Sequence, residues 1–70
     1  MTRYLVIYEE GEEGSWGAHT PDLPGCYAAG KTKEEVERLM REAIPFHLEG
    51  MREAGQPIPV PRTSVGYVAA

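Results

Sequence analysis

The sequence predicts an α+β fold of the order β-β-β-α-β: one small antiparallel sheet with a single long helix on one face. Two patterns and the chain length carry this. Residues 4–30 alternate short apolar runs with turn signals built on glycine and proline, the signature of successive strands. A capped, amphipathic helical stretch then follows. The chain has 70 residues, so residues 1–70 form one domain. A chain this short buries only about 60% of the surface its unfolded form exposes. Its core is therefore thin, and assembly into oligomers is a natural way to cover what remains.

The first strand is read at Tyr4–Tyr8, YLVIY, which is rich in β-branched and aromatic residues. Both of its faces are apolar, so both ask for cover. Glu9–Gly14, EEGEEG, is a polar hairpin turn into a second strand near Ser15–Thr20, where Trp16, Ala18 and Thr20 share a face. Pro21 ends that strand. Leu23-Pro24-Gly25-Cys26 places Pro and Gly at the two central positions of a type II turn, and a short third strand, Cys26–Gly30, follows.

Thr32 with Glu35 forms a capping box at the start of the helix. Val36, Leu39, Met40, Ala43, Ile44, His47, Met51 and Ala54 then fall on one stripe, and Gly55 is the stop. Glu34 with Arg38 and Glu37 with Arg41 are spaced as ion pairs. Pro45 lies off the stripe, where water can satisfy the carbonyl of Arg41, so one helix bent at this point is expected rather than two. The prolines of Gln56–Arg62, QPIPVPR, favour an extended linker, and Thr63–Val68 reads as a last strand.

The composition is that of a folded protein, 41% hydrophobic and 26% charged. A net charge of -4 disfavours general nucleic-acid binding, which needs Lys and Arg on phosphates, and suits a basic protein partner. The single cysteine, Cys26, has no internal disulfide partner, which fits a reducing cytoplasm. The N-terminal segment does not read as a signal peptide, and no stretch approaches the roughly 20 apolar residues of a membrane helix.

Candidate chemical residues are few. The carboxylates Glu9, Glu10, Glu12 and Glu13 lack calcium-loop spacing and read as a solvated turn. Cys26, His19 and His47 lack metal-ligand spacing. Nothing beside Cys26 would lower its thiol pKa, so it reads as a small buried residue. Asp22 has no partner carboxylate in view and reads as a turn cap. No catalytic residue, metal or cofactor is therefore expected. The aromatic residues outnumber what one thin layer can bury, which singles out Trp16, Tyr27 and Tyr67 as partner or oligomer contacts.

At Pro21, Asp22, Leu23, Pro24, Gly25 and Cys26 the chain reads PDLPGC, followed by Gly30, Thr32 and Glu34-Glu35. Then come Glu42-Ala43-Ile44, Leu48, Gly55 and Pro57-Ile58-Pro59. This series, with the tyrosine-bearing first strand and Trp16-Gly17-Ala18, resembles the HicB family of antitoxins over nearly the whole chain. The resemblance implies a fold similar to a trimmed ribonuclease H core. It also implies binding to HicA, a small basic ribonuclease with a double-stranded-RNA-binding fold, so as to cover its active site. Many such proteins add a C-terminal DNA-binding domain; this sequence reaches Ala70 without one, so direct DNA binding is not expected.

The expectation is a cytoplasmic, homo-oligomeric binding module, a dimer or a multiple of one, that neutralises a HicA-like toxin. The alternatives are an orphan oligomeric adaptor of unknown ligand and a metal-dependent nuclease. The nuclease is disfavoured because the first strand offers Val6, Ile7 and Tyr8 where an inward acid is wanted.

Overall fold

The computed structural model describes residues 2–70. Three strands, β1 (Ile7–Glu10), β2 (Trp16–His19) and β3 (Tyr27–Gly30), are followed by one helix, α1 (Lys33–Glu53). The sheet is antiparallel throughout, in the order β1-β2-β3, with Tyr8 opposite Ala18 and Ala18 opposite Ala28. This is the expected α+β arrangement of a three-stranded sheet and one long helix.

The β1–β2 hairpin closes through a single 3-10 turn, Glu12–Gly14. Ser15 fastens it by donating its hydroxyl to the Glu12 carbonyl at 2.8 Å. β1 begins later than the apolar run Tyr4–Tyr8 suggests. Continuing the ladder register would set Val6 against Thr20 and Leu5 against Pro21. Pro21 has no N–H, and the Thr20 N–H is already donated to the Cys26 carbonyl at 3.3 Å. The apolar run therefore outlasts its partner.

The turn between β2 and β3 has the expected type II form. Gly25 takes the left-handed φ of 86° that this turn requires at its third residue, and the Cys26 N–H donates to the Leu23 carbonyl at 3.1 Å. The turn drives Leu23 and Cys26 inward, where they join Ala18, Val36 and Met40 as the buried core.

The α1 helix starts and stops as its sequence indicates. The Thr32 hydroxyl accepts the Glu35 N–H at 3.0 Å, while the Glu35 carboxylate accepts the Lys31 N–H, one residue before the cap. At the other end Gly55 has φ 72°, the Gln56 N–H bonds the Met51 carbonyl and the Gly55 N–H bonds the Arg52 carbonyl, a Schellman stop. The helix runs unbroken through Pro45, which is exposed as expected. The ion pair on its surface is Arg38–Glu42 at 3.2 Å; among the described residues neither Glu34–Arg38 nor Glu37–Arg41 forms. Exposed pairs of this kind contribute too little to dictate which neighbour a long side chain chooses.

The last expected strand, Thr63–Val68, does not form within the chain: residues 56–70 carry no helix or strand. A strand exists only as part of a ladder, and among the described residues no backbone partner lies beside this segment. The tail is pinned as far as Thr63 and then leaves the body. Val65 is 67% exposed, Tyr67 95% and Val68 96%.

Candidate protein-binding surface

The PDLPGC turn acts as a tether. One carboxylate oxygen of Asp22 accepts the backbone N–H groups of Arg62 and Thr63, each at 3.1 Å, and the other accepts the Thr63 hydroxyl at 2.9 Å. Partial desolvation works against ionisation, but the Thr63 and Arg62 hydrogen bonds and the Arg62 charge outweigh it and hold the carboxyl below its ordinary pKa. A second tie lies further up the tail, where the Tyr4 hydroxyl donates to the Pro59 carbonyl at 2.6 Å. Asp22 thus caps a distant segment rather than its own turn, a partner that a linear reading of the sequence does not reveal. Cys26 is buried in the core, and burial pushes its thiol pKa up, away from the thiolate a nucleophile needs.

The aromatic residues divide. Trp16, Tyr4 and Tyr8 are half-buried and pack against the core cluster. The Tyr8 ring also lies 5.7 Å from the Lys33 ammonium. Tyr27 is 73% exposed and Tyr67 lies out on the tail. Side chains alternate across a sheet, and Ala18 faces α1. The register therefore sets Ile7, His19 and Tyr27 in one row on the opposite face, with Glu9, Gly17 and Ala29 in the next. Among the described residues no element covers this second face, and its Gly17–Ala29 row carries only small side chains. Trp16, Tyr27 and Tyr67 are thus not gathered into one patch: Trp16 is shared with the core, Tyr27 sits on the open sheet face, and Tyr67 lies on the tail.

A third aromatic residue projects from the helix. Phe46, 80% exposed, borders an open groove of about 600 Å³ together with Pro24, His47, Met51, Ala54 and Gln56. Glu49 and Glu53 flank it on the next turns. The signal for Phe46 was present in the sequence, since it falls outside the apolar stripe and has no place in the core.

The acidic residues of the hairpin, Glu9, Glu10, Glu12 and Glu13, are all exposed. Among the described residues, no three His, Cys, Asp or Glu side chains converge where an ion could be held. No helix among these residues is long and apolar enough to cross a membrane.

Fold and surface together define a small α+β module with an exposed sheet face, an exposed aromatic on its helix and a tethered tail. Residues 4–70 match the family described as HicB-like antitoxin of bacterial toxin-antitoxin system, and the chain belongs to that family. It is 37% identical over 57 residues to a UPF0150 protein of Thermoplasma acidophilum, spanning 81% of this chain and 83% of that one. It is 39% identical over 56 residues to an uncharacterised 14.9 kDa protein of Haemophilus phage HP1, spanning 80% of this chain and 41% of that protein. To Antitoxin HicB 2 of Photorhabdus laumondii it is 35% identical over 65 residues, spanning 87% of this chain and 43% of the antitoxin. The chain therefore spans less than half the length of the phage protein and of this antitoxin.

Proposed function

We propose that this chain is an antitoxin-type binding module that neutralises a small basic ribonuclease of the HicA kind by covering its active site, and that it does so in the cytoplasm as a homo-oligomer, a dimer or a multiple of one. The observation that carries the reading is membership of the HicB-like antitoxin family across residues 4–70. The surface supports it. Phe46 is an exposed aromatic anchor beside an apolar groove, and Glu49 and Glu53 stand next to it. An apolar anchor with carboxylates at its rim suits a partner that presents Lys and Arg around an apolar patch. The net charge of -4 steers such a partner toward it.

The metal-dependent nuclease alternative gains no support from the geometry, because among the described residues no three acids or other metal-ligating side chains gather. The orphan adaptor differs from the antitoxin only in having no toxin. Affinity capture from the source organism, with mass spectrometry of the bound proteins, separates the two. The antitoxin reading expects a small basic ribonuclease enriched above background and lost with Phe46→Asp. Recovery of the chain alone would leave the orphan adaptor.

A further inference from the structure

We infer that the tail from Thr63 onward is the exchanged element of a homodimer: each copy lays it as a strand against the free outer edge of the partner's β1. This deepens the oligomer reading above and does not depend on a toxin.

The chain carries both halves of the contact. β1 is an edge strand, and among the described residues no backbone hydrogen bond reaches its outer side. Such an edge is a template for another strand unless something blunts it. The run Tyr4–Tyr8, whose last two residues open β1, is uncharged and rich in strand-forming residues and contains no Lys or Pro; the charges of the edge, Glu9 and Glu10, stand at its far end beside the hairpin. The tail, TSVGYVAA, is likewise uncharged and strand-forming, with Val65 and Tyr67 on one side of an extended chain. It forms no strand at home, and its large apolar side chains face solvent.

The two halves lie next to each other. Thr63, the last tethered residue, borders the same groove as Arg3, Tyr4, Leu5, Val6 and Tyr8. The tail thus leaves the body beside the free edge, so a two-fold axis near that point lets two tails cross without a long linker. The contact is self-complementary, closes on itself and leaves neither β1 edge open.

Size favours a second copy. The accessible surface is 5601 Å², whereas a compact chain of 7.7 kDa exposes about 4,300 Å². The radius of gyration is 13.5 Å against about 11 Å for a compact chain of 70 residues. The surplus area exceeds the roughly 800 Å² per partner of a standard interface. Chemistry favours the same occupant. A basic toxin is met by carboxylates, as around Phe46, whereas the uncharged run Tyr4–Tyr8 that leads into and opens β1 matches the uncharged tail.

The test uses the full chain and needs no toxin. Light scattering after size exclusion should give twice the chain mass at micromolar concentration. Val65→Pro and Gly66→Pro each remove one N–H, and in an alternating ladder one of the two must face the partner. At least one of them, and Tyr67→Asp, should shift the protein to monomer. The helical circular-dichroism signal should persist, because none of these side chains touches the core. In a dimer of mixed labelled and unlabelled chains, contacts between residues 5–9 of one copy and 64–68 of the other are expected. A monomeric wild type, a dimer indifferent to all three variants, or tail contacts to its own β1 or to the Phe46 groove would each overturn the inference. A monomer that still captures a basic ribonuclease would remove the strand exchange and leave the antitoxin reading standing.

Discussion

Asp22 and Thr20 take no part in a catalytic constellation, yet both have measurable consequences for the fold. The folded-state pKa of Asp22 is lowered because its ionised carboxylate accepts three hydrogen bonds from the tail. The unfolded chain therefore binds the proton more readily. The tether's stabilisation is complete above the ordinary carboxylate pKa, roughly 3.9, and is lost as pH falls through the lower folded value. Amide spectra of Arg62 and Thr63 followed against pH should show release with a midpoint below that ordinary value; a midpoint above it would mean that the tether does not favour the ionised form. Thr20 is 2% exposed and its hydroxyl has no hydrogen-bond partner among the described residues. Thr20→Val should stabilise the fold by about 1 kcal/mol in urea titrations, because an unsatisfied buried group is removed at nearly constant shape.

At the scale of elements, glycine and proline positions give opposite expectations. A Cβ at Gly30 would run into the Glu35 carboxylate and meet the Val36 side chain at 3.1 Å, disturbing the cap of α1. Gly30→Ala should therefore cost about 1 kcal/mol or more. Gly50, on the exposed side of α1, has nothing within 4 Å of an added Cβ, and Gly50→Ala should gain about 1 kcal/mol. Pro45→Ala restores a helix N–H on an exposed face and should raise stability by about 1–3 kcal/mol. Chemical denaturation of the three variants checks the ordering. The elements with local signals were the ones legible in the sequence. Thr32 and Glu35 marked the helix start, Gly55 its stop, Pro24-Gly25 the type II turn and EEGEEG the hairpin. The bounds of β1 were not legible, because they depend on where β2 ends rather than on the apolar run itself. The missing last strand has the same cause on a larger scale: Thr63–Val68 has the right residues, but among the described residues no ladder lies beside it.

At the scale of the whole molecule, a thin core and an acidic surface were readable from length and charge, and the family from the spacing of PDLPGC and the helix signals. The binding surface was only partly readable. Tyr27 and Tyr67 are exposed as their surplus over the core suggested, whereas Trp16 is shared with the core. Phe46 was signalled by its place outside the apolar stripe, whereas the Asp22 tether emerged only from the fold, since it joins residues distant in sequence. Binding to a basic ribonuclease should weaken with salt, because exposed carboxylates steer the encounter. Phe46→Asp should weaken it at every salt concentration by removing the apolar anchor while leaving the fold intact. The most direct test is titration of this chain into the ribonuclease recovered by affinity capture, with cleavage of RNA as the readout. Cleavage should stop as the chain reaches stoichiometric amounts; cleavage that continues undiminished with the chain in excess would contradict neutralisation.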